Sequence, residues 1–324
     1  MIPKAELHVH LEGTIRPAIA KILAKRNHLD FPSHIINQQE QSYISKDFMD
    51  FLNVYDELAA LIRKPIDYFD ITYDYLKQSA LKGTIYTEMM YSPDHAEKVS
   101  HIASHEHLIA IGEAIENAYQ DFGIVGRIIT TAVRHFGVEA CEKVALEAQK
   151  HPFYFVTGFG LGGDEIHFPP QLFEKTYHIA RHAGLKTTIH AGEWGDAKSM
   201  EVAIQTCKVQ RIGHGVRSIE SQNTLDMLKD LQIHLEVCPS SNVVLGIYPS
   251  ISAHPLPALL QQGISVSLNS DDPPFMATTI DKEYDLVQKT FQYSDAFMKQ
   301  ITKNAVKAAF LEEEWKQKLL DKIN

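Results

Sequence analysis

The segment Ala-Glu-Leu-His-Val-His-Leu-Glu-Gly at residues 5–13 alternates small or apolar side chains with polar ones and then ends in a turn. This alternation predicts a β-strand near residues 5–9, because successive side chains of a strand point to opposite faces. His8 and His10 lie two residues apart, so both imidazoles face the same side. Two imidazoles that face a protein interior favour a bound cation. The segment therefore predicts a strand with a metal site at its end.

Similar short β-branched or apolar runs recur along the chain, and most are followed by a segment with the helical spacing of apolar residues. Eight such strands with intervening helices predict an α/β fold of the (β/α)8 TIM-barrel type. The seven further strands are predicted near residues 84–90, 126–132, 154–159, 186–190, 210–213, 233–237 and 265–269. Helices are predicted over residues 46–62, 66–82, 104–121, 170–183, 218–230 and 254–262.

The remaining segments add to this barrel rather than form a second unit. Residues 29–45 are rich in Gln, Ser and Asn and predict a loop, and the tail from residue 282 predicts two or three closing helices. Additional helices are thus expected after strand one and at the C-terminus. The chain contains no internal repeat and no linker, so residues 1–324 are expected to form one domain.

The composition favours a small-molecule partner. The chain has 41 acidic and 31 basic residues, a formal net charge of −10. Nucleic-acid binding relies on clustered Lys and Arg, so no nucleic-acid partner is expected. No apolar run approaches the roughly 20 residues that span a bilayer, and no signal peptide is recognisable, which favours a cytoplasmic protein without a membrane partner. Three separated cysteines indicate neither a disulfide framework nor a thiolate zinc site.

Polar groups stand at four of the predicted strand ends, where the active sites of TIM barrels lie. Three imidazoles and a carboxylate, with a position left for water, suit a catalytic zinc ion. The segment 157–161 at the end of strand four contains no lysine that could bridge two metals, so one Zn²⁺ per chain is expected. The predicted ligands are His8, His10, His190 and Asp271.

The same strand ends offer groups that could move protons. A zinc ion lowers the pKa of bound water to roughly 7, which supplies a nucleophile at neutral pH. Glu193 lies three residues beyond His190 and is predicted to be the general acid and base. His214, between two glycines, is predicted to orient the attacking water, and Asp272 is free to accept a hydrogen bond from the substrate.

Five motifs together resemble the adenosine deaminase family of the amidohydrolase superfamily: AELHVHLEG (5–13), HAGE (190–193), RIGHG (211–215), EVCPSSN (236–242) and LNSDDP (268–273). The resemblance implies zinc-dependent hydrolytic deamination at purine C6, with Glu193 protonating ring N1. It also implies hydrogen bonds from Asp272 to N7 and from the Gly163 amide to N3. The expected reaction converts adenosine or deoxyadenosine to inosine or deoxyinosine and ammonia.

The resemblance leaves the substrate open between a nucleoside and a free base. Glu12 stands where vertebrate-like adenosine deaminases carry an Asp that resembles a partner of the ribose 5′-hydroxyl, and Glu also resembles the adenine deaminase branch. Gly213 speaks against that branch, in which Asp tends to precede the histidine. Phe51 and Leu52 look like the apolar lid of adenosine deaminases, and a role in the core of an amphipathic helix is equally compatible.

Other functions are compatible with the same motifs. Adenine and modified nucleosides such as aminodeoxyfutalosine remain alternative substrates, and a catalytically inactive purine-binding module is a remote alternative. Every predicted ligand and the acid/base carboxylate are present, which favours an active enzyme. The partner is therefore expected to be a small purine nucleoside or base, and the sequence does not set the oligomeric state.

Overall fold

The computed structural model describes residues 2–37, 42–46 and 48–323. Its main sheet contains eight parallel strands, each paired with the next along the chain. The last and first strands meet through a bridge between Val9 and Asp271, where the His10 amide donates to the Asp271 carbonyl at 2.9 Å. The predicted TIM barrel is confirmed. Its strands are β1 Lys4–His10, β2 Thr84–Tyr91, β3 Val125–Val133, β4 Val156–Gly162, β5 Lys186–Ala191, β6 Arg211–His214, β7 His234–Val237 and β8 Val266–Leu268.

Helices surround this barrel. Those between the strands are α1 Pro17–Asn27, α2 Phe48–Ala59, α3 Pro65–Leu81, α4 Pro93–Ser100, α5 Ser104–Phe122, α6 Val138–Lys150, α7 Glu174–His182, α8 Ala197–Val202, α9 Gln222–Asp230, α10 Pro239–Val244 and α11 Leu256–Gln261. The predicted tail consists of three helices, α12 Ile280–Phe291, α13 Asp295–Ala308 and α14 Glu313–Asp321. The additional helices after strand one are α1, α2 and α3.

The structure departs from the sequence expectations in the short elements. Within the predicted loop 29–45, Ile36–Asn37 pairs with Ser42–Tyr43 as an antiparallel hairpin, too short for a period-two signal. The Tyr43 amide donates to the carbonyl of Pro274 at 2.9 Å, which ties the hairpin to the loop after β8. Helices α4, α6, α8 and α10 are not among the predicted ones, and α7 is preceded by a 3-10 turn at Pro170–Phe173.

The barrel interior carries a chain of buried charges that reaches from the tail to the C-terminal strand ends. The Phe310 amide donates to Glu88 at 2.6 Å, and Arg211 donates to Glu88 at 2.5 Å and to Glu236 at 2.6 Å. The second oxygen of Glu236 lies 2.8 Å from Nδ1 of His8. A buried charge is tolerated when it is paired and hydrogen-bonded, and here each member supplies the partner of the next. We call these five residues the ionic chain.

Two other expectations concern the cysteines and the membrane. Cys141, Cys207 and Cys238 are buried and unpaired with one another, as predicted. Among the described residues, none of the helices combines the length and apolar character that crossing a bilayer requires.

Candidate active site

Three predicted metal ligands from β1 and β5 meet Asp271 at the C-terminal end of the barrel. The Nε2 atoms of His10 and His190 are 3.2 Å apart. Nε2 of His8 and Nε2 of His10 each lie 3.4 Å from Oδ1 of Asp271. Side chains from opposite ends of the sequence therefore surround one point.

His214, predicted as a proton-handling residue, lies in the same cluster. Donor atoms of His8, His190, His214 and Asp271 all fall within 4.8 Å of one another, and His10 forms a second such group with Asp271 and Asp272. Nε2 of His8 is buried and has no hydrogen-bond partner among the described residues. An orphaned imidazole nitrogen beside neutral nitrogen and carboxylate donors fits a zinc-type cation.

The ligands are oriented by partners on their far sides. Nδ1 of His8 contacts Glu236, and Nδ1 of His190 lies 3.2 Å from the Leu161 carbonyl, so both Nε2 atoms face the cluster. Burial lowers the pKa of His190 well below 6.5, which keeps the ring neutral. Burial opposes ionisation of Asp271, but the neighbouring imidazoles of His8, His10 and His214 lower the pKa of its carboxyl well below 3.8.

Two residues of the cluster have unusual backbone conformations. His214 and Asp271 adopt φ values of 59° and 62°, in the left-handed region that side chains other than glycine seldom occupy. Such strain is characteristic of functional sites, where the surrounding structure maintains it. The neighbouring Gly213 is required sterically, because a Cβ there would lie 2.7 Å from Cε1 of His8.

Glu193 lies on the turn that leaves β5. One oxygen of Glu165 accepts hydrogen bonds from the backbone amides of Gly192 and Gly195, each at 3.0 Å. These two bonds fix the turn on both sides of Glu193. Burial, together with the charge of Asp271, raises the pKa of Glu193 well above 4.5. A carboxyl whose pKa is raised in this way is suited to donate a proton. Sequence reasoning missed Glu165, whose only signal is its place in the glycine-rich segment after β4.

His214, the second residue predicted to handle protons, lies next to Glu193. Nδ1 of His214 lies 3.5 Å from Oε1 of Glu193, and its Nε2 lies 4.0 Å from Oδ2 of Asp271. Burial lowers the pKa of His214 to about 3, so the ring is neutral at neutral pH. A neutral imidazole between the acid and the metal ligand can orient a water molecule.

The predicted substrate-binding carboxylates are buried beside one another. A Cβ on Gly13 would lie 1.8 Å from Oδ1 of Asp272, so the turn after Glu12 packs directly on Asp272. Oδ1 of Asp272 and Oε2 of Glu12 have no hydrogen-bond partner among the described residues. The other oxygen of Glu12 accepts a hydrogen bond from the Tyr68 hydroxyl at 2.9 Å, a contact that the sequence did not reveal.

The remaining predicted residues occupy different places in the fold. Gly163 directly follows β4 with φ 98°. Phe51, on α2, is only 7 % exposed, and its ring lies 5.6 Å from that of Phe275 in the loop after Asp272. Leu52 is half-buried and packs against the hydrophobic cluster that contains Phe51 and Phe275. These contacts fit a core role for Phe51 and Leu52, and their closure over a substrate stays a prediction.

A barrel that brings imidazoles, an aspartate and a buried glutamate together at the C-terminal strand ends fits a metal-dependent hydrolase. The five motifs that resemble the amidohydrolase-type deaminases lie at the C-terminal ends of β1, β5, β6, β7 and β8. The family profile described as adenosine deaminase matches residues 3–324. The chain therefore belongs to the adenosine deaminase family.

Relatives of known name cover the whole chain. An adenine deaminase of Chelativorans sp. is 41% identical over 100% of this chain and 98% of its own length. The crystal structure of adenine deaminase from Arthrobacter aurescens superposes with a TM-score of 0.93 at 31% identity, covering 100% of this chain and 98% of that one. An amidohydrolase from Burkholderia ambifaria, crystallised with bound Zn, has a TM-score of 0.88 at 25% identity, covering 99% and 92%.

Proposed function

We propose that this enzyme deaminates the free base adenine to hypoxanthine and ammonia, rather than adenosine to inosine. The observation that carries the proposal is the buried Glu12 carboxylate, one oxygen of which has no hydrogen-bond partner among the described residues. The full-length relatives named adenine deaminase support the same substrate. Adenosine, the substrate expected from the sequence, becomes the second candidate.

The chemical difference between the two substrates lies at N9. Free adenine carries a hydrogen on an imidazole nitrogen of the purine, whereas adenosine carries ribose at N9. A buried carboxylate oxygen without a donor is costly, and an N–H donor from the substrate removes that cost. Glu12 is therefore assigned to accept the ring N–H of adenine while Tyr68 holds its other oxygen. A nucleoside lacks this hydrogen, so only a ribose hydroxyl could serve as the donor to Glu12.

The other residues take the roles that their positions allow. His8, His10, His190 and Asp271 would hold the metal, proposed to be one Zn²⁺. When bound, zinc acidifies the water that attacks C6. Glu193 donates its proton to N1, which makes C6 more electrophilic, and the neutral His214 orients the attacking water. Residues 1–324 are proposed to act as one catalytic unit, since β1 and β8 close the barrel from opposite ends of the chain.

Substrate contacts at the purine ring follow the same geometry. Burial, together with the charge of Asp271, raises the pKa of Asp272 well above 3.8, so this carboxyl can donate a hydrogen bond to N7. The Gly163 amide is assigned as the hydrogen-bond donor to N3 of the base. Glu12 and Asp272 would then contact the five-membered ring of the base, while Gly163 and Glu193 would contact N3 and N1 of the six-membered ring.

The test compares adenine, 9-methyladenine and adenosine in an ultraviolet assay of the purified enzyme, with zinc measured on the same sample. The ratio of kcat/KM for adenine over 9-methyladenine is expected to exceed about 100-fold, since a site built for an N–H rejects an analogue that lacks it. Glu12→Gln, which removes the charge at nearly constant volume, should reduce that ratio, and Tyr68→Phe should reduce it less. Higher kcat/KM for adenosine than for adenine would refute the proposal.

A further inference from the structure

We infer that His254 and Asn242 form a hydrogen-bond relay that fixes the orientation of the Glu193 carboxyl, and that both are positioning residues for proton transfer. The inference rests on the proposed role of Glu193. Asn242 lies on α10 and is fully buried, and His254 precedes α11 with 3 % exposure. Among the described residues, neither forms a hydrogen bond with the predicted metal ligands of β1 and β5.

The backbone sets the direction of the relay. The Leu256 amide donates to Nδ1 of His254 at 3.1 Å, so Nδ1 is an acceptor and the neutral ring carries its hydrogen on Nε2. Nε2 lies 3.2 Å from Oδ1 of Asn242 and therefore donates to it. Burial lowers the pKa of His254 to about 4, so this tautomer is maintained at neutral pH.

The orientation of Asn242 follows from that of His254. With Oδ1 accepting from the imidazole, Nδ2 is directed to the other side, where it donates to Oε1 of Glu193 at 3.3 Å and also lies 3.3 Å from Nδ1 of His214. The reverse orientation would place two donors against each other at His254, and it would require Oε1 of Glu193 to carry the proton. The Leu256 amide thus determines, through His254 and Asn242, which oxygen of Glu193 accepts a hydrogen bond.

An occupied Oε1 has a direct consequence for proton donation. The hydrogen bond from Asn242 leaves Oε2 as the oxygen that carries the proton toward the substrate. Without it, the carboxyl can rotate and present either oxygen, so fewer molecules hold the proton in line with N1. Because the relay acts on the orientation of the acid, it should affect kcat and leave substrate binding nearly unchanged.

A double-mutant cycle on the zinc-loaded enzyme tests the relay with adenine as substrate. Asn242→Ala removes the donor to a carboxyl and should lower kcat about 10- to 100-fold with KM changed less than about twofold. His254→Phe should lower kcat about 10-fold, and His254→Gln, which can still donate, should restore kcat to within about threefold. In the Asn242→Ala background, His254→Phe should cause no further loss, because its effect passes through Asn242.

Metal content and thermal melting of each variant separate positioning from folding. If His254→Phe does not fold, His254→Met replaces it in the cycle. Additive losses in the double variant, equal kcat for His254→Phe and wild type, or no rescue by His254→Gln would each overturn the relay. A wild-type enzyme that prefers another purine would refute the proposed substrate instead, and the same cycle would then be measured with that purine.

Discussion

Replacing the buried Glu283 by Gln should change how stability depends on pH. Glu283 on α12 is fully buried and accepts hydrogen bonds from the Ser240 amide at 3.2 Å and the Thr278 hydroxyl at 2.5 Å. Burial raises its pKa from 4.5 to about 7 despite these bonds. The folded protein therefore binds this proton more tightly than the unfolded chain does. The resulting stability is complete below pH 4.5 and is lost as pH rises through 7.

The size of the effect follows from the two pKa values. The whole difference between the pKa of Glu283 in the unfolded and in the folded state corresponds to about 3 kcal/mol of unfolding free energy, at roughly 1.4 kcal/mol per pKa unit. From about pH 5.5 to 8, the unfolding free energy should fall by about 2 kcal/mol because of this group. Imidazole side chains can still bind metal over that range. Gln cannot ionise, so the wild type should lose about this much stability relative to Glu283→Gln across that range.

Urea unfolding of the zinc-loaded proteins at several pH values, followed by tryptophan fluorescence, measures this difference. Asp285→Asn is the matched control, because it removes an acidic charge from the same helix at a site that is 65% exposed. Its stability relative to wild type should be nearly independent of pH. A Glu283→Gln difference that stays constant from about pH 5.5 to 8 would refute the reasoning.

Three further predictions concern the active site. Glu193→Gln should retain zinc and lose about 100-fold or more of kcat, because the amide cannot supply the proton; near-normal turnover by the metal-loaded variant would contradict this assignment. His190→Ala should lower the zinc content measured by atomic absorption after dialysis, whereas an exposed substitution, His178→Ala, should retain it. Gly13→Ala should raise KM for adenine, because the new methyl would lie 1.8 Å from Oδ1 of Asp272; unchanged KM would indicate that Asp272 does not contact the substrate.

The barrel can be predicted because the residues that specify each strand are adjacent in the sequence. Each strand is a short apolar run, and the polar groups directly after β1, β5, β6 and β8 must share one end of a parallel barrel. The sequence alone therefore brings His8, His190 and Asp271 together, and their donor atoms do cluster. The short hairpin at Ile36–Asn37 is not predictable in this way, because two residues per strand give no periodic pattern.

Contacts between distant side chains are harder to predict. Glu165, Tyr68 and His254 carry no motif of their own, and each acts through partners that are distant in the sequence. The residue type at Gly213 predicts a nucleoside as substrate, whereas the relatives named adenine deaminase support the free base. In the structure, the His8 ring lies so close to Gly213 that a side chain there would be crowded. This steric reason for glycine is independent of the substrate.

The ionic chain also bears on the order in which the site is completed during synthesis. Among its five residues, Phe310 is the last to leave the ribosome, and its amide supplies a donor to Glu88. Until the tail docks, Glu88 lacks this donor, and the buried Arg211 and Glu236 behind His8 are held less firmly. A nascent or truncated polypeptide therefore presents an incompletely supported metal site. We therefore expect capture of the proposed metal to depend on arrival of the final helices, and unfinished chains to retain it poorly.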